Sequence, residues 1–206
     1  FINTPTKSVA PEAYKATHND FTTFGLDPRI LKTISFSKIN TPTPIQDQVI
    51  PKIMKGHDVV GLAETGTGKT AAFLLPLIHK TAKDNKNLTL IMAPTRELAL
   101  QIDEERRKLA RGLYLFSTTC VGGMNIRPQI RSLHRLNHFI IGTPGRIQDL
   151  IKRGDIKPEK ITCVVLDEAD RMLDMGFIND MRNILGMTPK NRQTLFFSAT
   201  MNDSAK

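Results

Sequence analysis

Six short apolar runs, each followed by a polar or amphipathic segment, form the strongest pattern in this chain. The runs begin at Asp58 and read DVVGLA, LTLIMAP, FSTTCVGG, HFIIGT, ITCVVLDE and RQTLFFSAT. Segments with helical spacing lie between them, among them KTAAFLLPLIHKTAK and ADRMLDMGFINDMRNIL. Strands alternating with helices predict βα units, and thus an α/β domain whose mostly parallel central sheet is flanked by helices. Ligands bind beyond the carboxyl ends of such strands, and the unusual residues of this sequence occur there.

A Gly-rich turn joins the first predicted strand to its helix. It reads AETGTGKT and matches the P-loop pattern except for Ala63 at the first position. Glycines let the backbone wrap closely around a phosphate. Lys69 adds positive charge at the β- and γ-phosphates, and the Thr70 hydroxyl is placed to ligate Mg²⁺. The predicted phosphate-binding residues are Thr65, Gly66, Thr67, Gly68, Lys69 and Thr70. An ordinary Gly-rich βα turn is the alternative.

Three carboxylates follow another apolar run, in the stretch CVVLDEADRM. Burying unpaired carboxylates side by side is costly, so a positive group is expected among Asp167, Glu168 and Asp170. In a P-loop fold a second strand end holds Mg²⁺ near the γ-phosphate, and Asp167 fits that role. Glu168 is placed to orient or deprotonate the attacking water. The predicted catalytic residues are therefore Lys69, Asp167 and Glu168, and the predicted metal ligands are Thr70 and Asp167. A surface acidic turn that caps the next helix is the alternative.

Composition restricts the kinds of molecule that this chain is expected to bind. The net charge of +9, from 29 basic and 20 acidic residues, suits a polyanion, either nucleic acid or an anionic membrane surface. No apolar run approaches the roughly 18 residues that cross a bilayer, and no signal peptide is visible. Cys120 and Cys163 lie in predicted strands without a metal-binding pattern, so buried thiols of a cytoplasmic protein are expected. Residues 1–20 are interpreted as a loosely ordered polar leader before one domain over residues 21–206.

Eight motifs occur in a fixed order: TPTPIQ, AETGTGKT, PTRELA, GG, TPGR, LDEADRML, MGF and SAT. Together they resemble the N-terminal, RecA-like half of a DEAD-box RNA helicase, over roughly Phe21 to Thr200. The resemblance implies ATP and Mg²⁺ as cofactors, RNA bound mainly through its sugar-phosphate backbone, and a second RecA-like domain outside these 206 residues. Alanine at the first loop position is common in that family, which accounts for Ala63. Lys38 and Ile39 depart from it, because they replace a usual Gly-aromatic pair.

The resemblance also implies how adenine is bound. Gln46 matches the family's adenine-reading glutamine, whose amide offers both a donor and an acceptor. Thr43 and Gln46 also have the spacing of a helix capping box, and both roles can hold together. Phe21 matches an aromatic residue that stacks on adenine in the family, although a core position for Phe21 or Phe24 is the alternative. Phe21, Thr43 and Gln46 complete the predicted nucleotide-binding set.

Two further strand–helix junctions have the chemistry of anion sites. Thr95 of PTREL and Thr143 of TPGR each open a helix, where a hydroxyl and free N–H groups can bind phosphate. In the family these segments and the GG pair hold single-stranded RNA. The predicted RNA-binding residues are Pro94, Thr95, Arg96, Gly122, Gly123, Thr143, Gly145 and Arg146. Simple helix capping by both threonines is the alternative.

Other groups are less specific. Three arginines spaced four residues apart on one predicted helix can extend the RNA path; they are Arg127, Arg131 and Arg135. The segment ERRKLAR is interpreted as a solvated helix face. Three methionines near the acidic motif are interpreted as core filling; they are Met172, Met175 and Met181.

The motif SAT matches the family's coupling motif. The hydroxyls of Ser198 and Thr200 are expected to hydrogen-bond Asp170, which would tie nucleotide state to RNA state. Because no arginine finger can be assigned here, this chain is expected to bind nucleotide modestly and RNA weakly, with little turnover. A monomer is expected because no long apolar stripe of the sequence remains unassigned. The whole protein is predicted to be an ATP-dependent RNA helicase that unwinds short duplexes. The alternatives are a binding module without catalysis and a DNA helicase.

Overall fold

The structure is a computed structural model that describes residues 15–36, 41–64 and 66–200. Its described part contains one six-stranded sheet with the order β1-β6-β5-β2-β4-β3, in which every neighbouring pair is parallel. The strands are β1 (Val59–Leu62), β2 (Thr89–Met92), β3 (Ser117–Cys120), β4 (Phe139–Gly142), β5 (Cys163–Leu166) and β6 (Gln193–Ser198). The predicted α/β fold with a parallel sheet is confirmed.

Helices cover both faces of this sheet. One face packs against α1 (Pro28–Phe36), α2 (Pro44–Met54), α3 (Lys69–Lys83) and α4 (Arg96–Leu109). The other packs against α5 (Ile126–Leu133), α6 (Pro144–Lys152), α7 (Ala169–Asp174) and α8 (Ile178–Met187). The two faces follow from right-handed crossovers, because the chain steps one way from β1 through β2 to β3 and then steps back to β6.

The strands are buried on both faces, which explains their near-continuous apolar runs. Along β2, Leu90 and Met92 join one core while Ile91 joins the other, as the two-residue period of a strand requires. Burial raises the pKa of both cysteine thiols, Cys120 and Cys163, to about 12, so neither is a reactive thiolate at neutral pH.

The strand order sorts the predicted functional segments into two halves of one sheet edge. The phosphate loop follows β1, the acidic motif follows β5, and β6 with its SAT motif lies between them. The PTREL, TPGR and GG motifs follow β2, β4 and β3, which are neighbours in the other half. Because all strands are parallel, all of these segments lie at the same edge.

Four expectations need correction. The segment ADRMLDMGFINDMRNIL is not one helix: α7 ends at Asp174, and Gly176 has a left-handed φ of +82° before α8 begins. The segment ERRKLAR is not wholly solvated, because Arg106 is buried and pairs with buried Asp103 at 3.0 Å. Met175 is half exposed, unlike buried Met172 and Met181. Arg135 lies beyond the end of α5, so the three arginines do not share one helix.

The end of the predicted leader is bound to the domain. The backbone N–H groups of Thr17 and His18 donate to the buried Asp47 carboxylate at 2.7 and 3.1 Å, and the His18 ring also contacts this carboxylate. The His18 ring lies 4.4 Å, centroid to centroid, from that of Phe24. Thr17 and His18 are therefore held against α2. Among the helices of the described ranges, none is long and apolar enough to span a bilayer.

Candidate functional site

The phosphate loop has the backbone shape that the sequence predicts. Gly66 and Gly68 have φ values of +85° and +88°, a left-handed conformation that glycine adopts without a side-chain penalty. The Thr67 hydroxyl donates to the carbonyl of Glu64 at 2.7 Å, which closes the turn. Thr65 lies outside the described residues. The loop ends where α3 begins, at Lys69.

Lys69 is the strongest sign of an anionic ligand. Its side chain is buried, and its Nζ has no hydrogen-bond partner among the described residues. A buried ammonium without a partner is costly, so such a group is retained where a ligand completes it. Its position at the N-terminus of α3, behind two left-handed glycines, suits the phosphates of a nucleotide.

Asp167 faces this loop from the end of β5. It is 3% exposed, and its Oδ1 accepts a hydrogen bond from the Glu168 N–H at 3.0 Å. Burial raises the pKa of Asp167 to about 6, against the opposing charge of Lys69. In the described ranges, no group of three or more His, Cys, Asp or Glu side chains is arranged so that it could hold a metal ion by itself. The carboxylate of Asp167 and the hydroxyl of Thr70 are hard oxygen donors, and Mg²⁺ commonly combines one or two of these with substrate phosphates. Asp167 and Thr70 are therefore suitable ligands for Mg²⁺.

Glu168 has an unusual backbone. Its φ and ψ are both +50°, a left-handed conformation that is uncommon for a side chain of this size. The turn directs the chain from β5 into α7. The carboxylate of Glu168 accepts a hydrogen bond from the Arg171 guanidinium at 3.3 Å. Sequence reasoning missed Arg171 as a partner of the predicted catalytic base, although their i,i+3 spacing on α7 is a usable signal.

Asp170 bonds to the end of β6. Its Oδ2 accepts hydrogen bonds from the Ala199 N–H at 3.1 Å, the Thr200 N–H at 2.9 Å and the Thr200 hydroxyl at 3.0 Å. Burial alone would raise the pKa of Asp170, but hydrogen bonds from the N–H groups of Thr200 and Arg171 and from the Thr200 hydroxyl hold it below its ordinary value. Ser198 is fully buried, and its hydroxyl donates to the Thr200 carbonyl. The expected hydrogen bond between Thr200 and Asp170 is present; a role for it in coupling stays a prediction.

On the adenine side, the Gln46 amide is occupied by backbone partners. Its Oε1 accepts from the Thr43 N–H at 3.0 Å, and its Nε2 donates to the Gly68 carbonyl at 3.1 Å. The predicted capping box of Thr43 and Gln46 is thus confirmed, although the Thr43 hydroxyl lacks a well-formed hydrogen bond within the described ranges. Phe21 is 4% exposed and packs edge-on against Phe24, as expected for the alternative in which Phe21 belongs to the core. Adenine contacts by Gln46 and Phe21 stay predictions, and Lys38 and Ile39 lie outside the described residues.

The second half of the sheet edge brings the predicted RNA-binding residues together. Thr95 caps α4 by accepting from the Leu98 N–H at 3.2 Å, and Pro94 before it is buried. Arg96 is exposed, and its guanidinium lies 3.9 Å from where a Cβ on Gly123 would stand. Arg96 therefore lies beside the exposed Gly122–Gly123 turn.

The N-terminus of α6 completes this surface. Thr143 caps α6 through its backbone geometry, without a side-chain capping bond, so its hydroxyl is not committed to the helix. Gly145 is exposed in the first turn, where a Cβ would meet only Asp180 at an ordinary contact distance of 3.7 Å. The Arg146 guanidinium donates to the Met124 carbonyl at 3.3 Å. Two helix N-termini, two arginines and three glycines thus share one surface.

One edge of the parallel sheet carries a phosphate loop with two glycines in the left-handed conformation, a buried lysine and a buried carboxylate. This arrangement defines a RecA-like P-loop domain. The family model for DEAD/DEAH box helicases matches residues 43–206, and the chain belongs to this family.

Relatives and solved structures agree with this assignment. The chain is 49% identical over 184 residues to the ATP-dependent RNA helicase CshA of Listeria monocytogenes, covering 89% of this chain and 35% of that protein. It is 47% identical to the DEAD-box ATP-dependent RNA helicase CshA of Geobacillus kaustophilus, with 89% and 39% coverage. A crystal structure of a DEAD box protein from Methanococcus jannaschii superposes with a TM-score of 0.87 at 40% identity, covering 90% of this chain and 51% of the other. The chain thus spans between a third and two fifths of these two curated relatives.

Proposed function

We propose that this chain is the ATP-binding and RNA-binding half of an ATP-dependent RNA helicase, which couples ATP hydrolysis to local unwinding of RNA duplexes. One observation carries the proposal: a nucleotide half (β1, β6, β5) and a cationic half (β2, β4, β3) share one sheet edge, with Asp170 bonded to Thr200 in the nucleotide half. The names of the relatives support the same reading.

In this proposal Lys69 binds the β- and γ-phosphates, and the left-handed glycines let backbone N–H groups approach them. Thr70 and Asp167 would hold Mg²⁺, which supplies charge neutralisation when bound. Glu168 orients the attacking water and accepts its proton. The Arg171 guanidinium, which donates to Glu168 Oε2 at 3.3 Å, would help to hold this carboxylate in place.

RNA binds to the other half through its phosphates. Thr95 and Thr143 offer hydroxyls and helix N-termini, while Arg96 and Arg146 add charge. Such contacts do not read bases, so binding is independent of sequence and weakens steeply with salt. Asp170, held by the end of β6, is the proposed link by which the two halves respond to each other.

Full turnover needs a positive group that neutralises the charge developing at the γ-phosphate, and we assign that role to none of the described residues. An arginine supplied across a cleft is worth roughly 10³–10⁵ in rate in related phosphoryl transfers. We therefore place that arginine in a second RecA-like domain, and expect this chain alone to bind nucleotide modestly and RNA weakly with little hydrolysis. A monomeric, cytoplasmic protein completes the proposal.

Steady-state ATPase activity tests it. The rate is measured with and without single-stranded RNA for this chain and for one extended through the next domain. RNA-stimulated turnover is expected only in the longer chain, and Glu168→Gln there should abolish it. Comparable turnover by the short chain would show that it carries its own neutralising group. Equal stimulation by single-stranded DNA would instead favour a DNA helicase, and binding without turnover in the longer chain would favour a binding module.

A further inference from the structure

A buried glutamine lies directly behind the Gly122–Gly123 turn. Gln129, on α5, is 7% exposed. Its Oε1 accepts from the Val121 N–H at 3.2 Å and from the Arg146 guanidinium at 3.0 Å. Its Nε2 donates to the carbonyls of Val121 at 3.1 Å and Asn125 at 3.3 Å. A glutamine amide has two donor hydrogens and two principal acceptor positions, so these four bonds use all of them.

The turn in front of Gln129 cannot be held by its own side chains. Gly122 and Gly123 are exposed, and a Cβ on Gly122 would meet nothing within 4 Å. The shape of the turn therefore depends on its two flanks, Val121 and Asn125. Both flanks are bonded to the same amide.

Arg146 enters this network from a different helix. Its guanidinium is held by the Met124 carbonyl and by Gln129 Oε1, at 3.3 and 3.0 Å. Because both acceptors are neutral, the guanidinium keeps its full charge for an anion while its direction is fixed. An ion pair with a carboxylate would have fixed the direction but cancelled much of the field.

We propose that Gln129 is a positioning residue for RNA binding, which joins the Gly122–Gly123 turn and Arg146 into one preorganised phosphate-binding unit. The inference rests on the proposed RNA-binding function and adds to it a residue outside the predicted contact set. Preorganisation raises affinity because less conformational entropy is lost on binding. Loss of the Gln129 amide should therefore weaken RNA binding about tenfold and leave nucleotide binding unchanged.

The test compares two buried glutamines. Gln193 is also 7% exposed; its Nε2 donates to the carbonyls of Ile53 and His57, and its Oε1 accepts from Lys80 Nζ. Gln129→Ala and Gln193→Ala thus remove similar buried networks, and Gln129→Glu keeps the shape of the side chain while losing both donors. Binding of a fluorescein-labelled oligouridylate of about 10 nucleotides is measured by anisotropy over a range of salt concentrations. Binding of MgADP and thermal unfolding are measured on the same samples.

We expect both Gln129 variants to bind oligouridylate about tenfold more weakly, with MgADP affinity unchanged, and Gln193→Ala to bind it like the wild type. The slope of log Kd against log salt should also decrease by up to about one unit for Gln129→Ala, as one phosphate contact is lost. Wild-type oligouridylate binding by both Gln129 variants would overturn the positioning role. Loss of binding by Gln193→Ala to the same extent would assign the effect to stability and overturn it as well. If the wild type binds MgADP but no oligouridylate at any salt concentration, the proposed RNA function fails, and this inference fails with it.

A double-mutant cycle with Arg146→Ala tests the joining of the two segments. If Gln129 acts through Arg146, the loss in the double variant should fall short of the product of the two single losses. A fully multiplicative loss would show that Gln129 does not act through Arg146.

Discussion

Asp170 and Thr200 are joined by two hydrogen bonds, in which the Thr200 N–H and hydroxyl both donate to Asp170 Oδ2, at 2.9 and 3.0 Å. The two residues are 30 positions apart in sequence: Asp170 lies in the first turn of α7, which follows β5, and Thr200 lies just beyond the neighbouring strand β6. The acidic turn is therefore attached to the strand end that lies between it and the phosphate loop. A shift of either segment must move or break these bonds.

Removing the hydroxyls of this network should separate hydrolysis from unwinding. In a chain extended through the next domain, Ser198→Ala plus Thr200→Ala should retain RNA-stimulated ATP hydrolysis within about threefold, yet lose at least tenfold in duplex unwinding. The physical reason is that Asp170 keeps its backbone donors but loses the Thr200 hydroxyl, so the link weakens by about 1 kcal/mol or more. ATPase and strand-displacement assays on one preparation measure both rates. Thr194→Ala, on the same strand but outside the Asp170 network, is the control, and unchanged unwinding by the double variant would contradict the coupling role.

Lys69→Met should strongly weaken nucleotide binding with little change in stability. Within the described residues the buried Lys69 ammonium has no hydrogen-bond partner, so its removal costs no hydrogen bond seen there. Its charge-assisted bonds to a bound nucleotide are worth about 3 kcal/mol, which predicts roughly 100-fold weaker MgADP binding. Calorimetric titration and thermal unfolding check both statements.

Lys80→Met is the matched control, since it truncates another lysine of α3. Lys80 Nζ donates to Gln193 Oε1 at 2.6 Å, so the Lys80 variant should lower the unfolding temperature and leave MgADP affinity unchanged. Equal nucleotide affinities for the wild type and Lys69→Met would remove Lys69 from the site.

Gly68→Ala should damage the nucleotide site beyond its cost in stability. A Cβ at this position would lie 2.4 Å from Gln46 Nε2, and φ is +88°. Gly56 has a similar φ of +84° with open space around a Cβ, so Gly56→Ala isolates the conformational cost of about 1–2 kcal/mol. We expect both variants to unfold more easily by at least that amount, and only Gly68→Ala to weaken MgADP binding, by tenfold or more. Equal affinities in the two variants would show that the Gln46 contact does not matter for nucleotide.

Acid should destabilise the domain partly through Asp27. Its hydrogen bond to Arg29 lowers the pKa of Asp27 to about 2, from an ordinary value of 3.8. Because the folded pKa is depressed, this stability is fully present above about pH 4 and is lost as pH falls from 4 towards 2. Arg29 is half exposed, so we discount the contribution for solvent screening to about 1 kcal/mol.

Asp27→Asn keeps a good helix cap and removes the charge, so it should lower the free energy of unfolding by about 1 kcal/mol at pH 7. The difference from the wild type should shrink as pH falls below 4. Urea unfolding at pH 7, 4 and 3 measures it. Asp149→Asn, which disrupts a more exposed pair with Arg153, should change stability by less than about 0.5 kcal/mol at pH 7. A difference that grows on acidification would reverse the assigned sign.

Much of the fold could be predicted because its signals are local. A short apolar run such as FIIG, between polar segments, favours a buried strand. The Gly-rich turn before Lys69 has the left-handed backbone that Gly66 and Gly68 supply. The break between α7 and α8 was missed, although Gly176 is a visible signal, because the amphipathic spacing continues across it. The burial of Arg106 was missed because its partners lie on other elements as well: the Leu115 carbonyl and the Phe139 ring.

The amino-acid sequence by itself determined the six strands, the phosphate loop and the acidic strand end, since each depends on a short run of neighbouring residues. It also determined the family pattern, since the order of the motifs can be read along the chain. Only the tertiary structure decided the strand order, which separates the nucleotide half from the cationic half. It alone placed Gln46 against Gly68, 22 residues away, and Gln129 against Arg146, 17 residues away. Such contacts form between side chains brought together by the packing of distant segments, and no periodicity along the chain encodes that proximity.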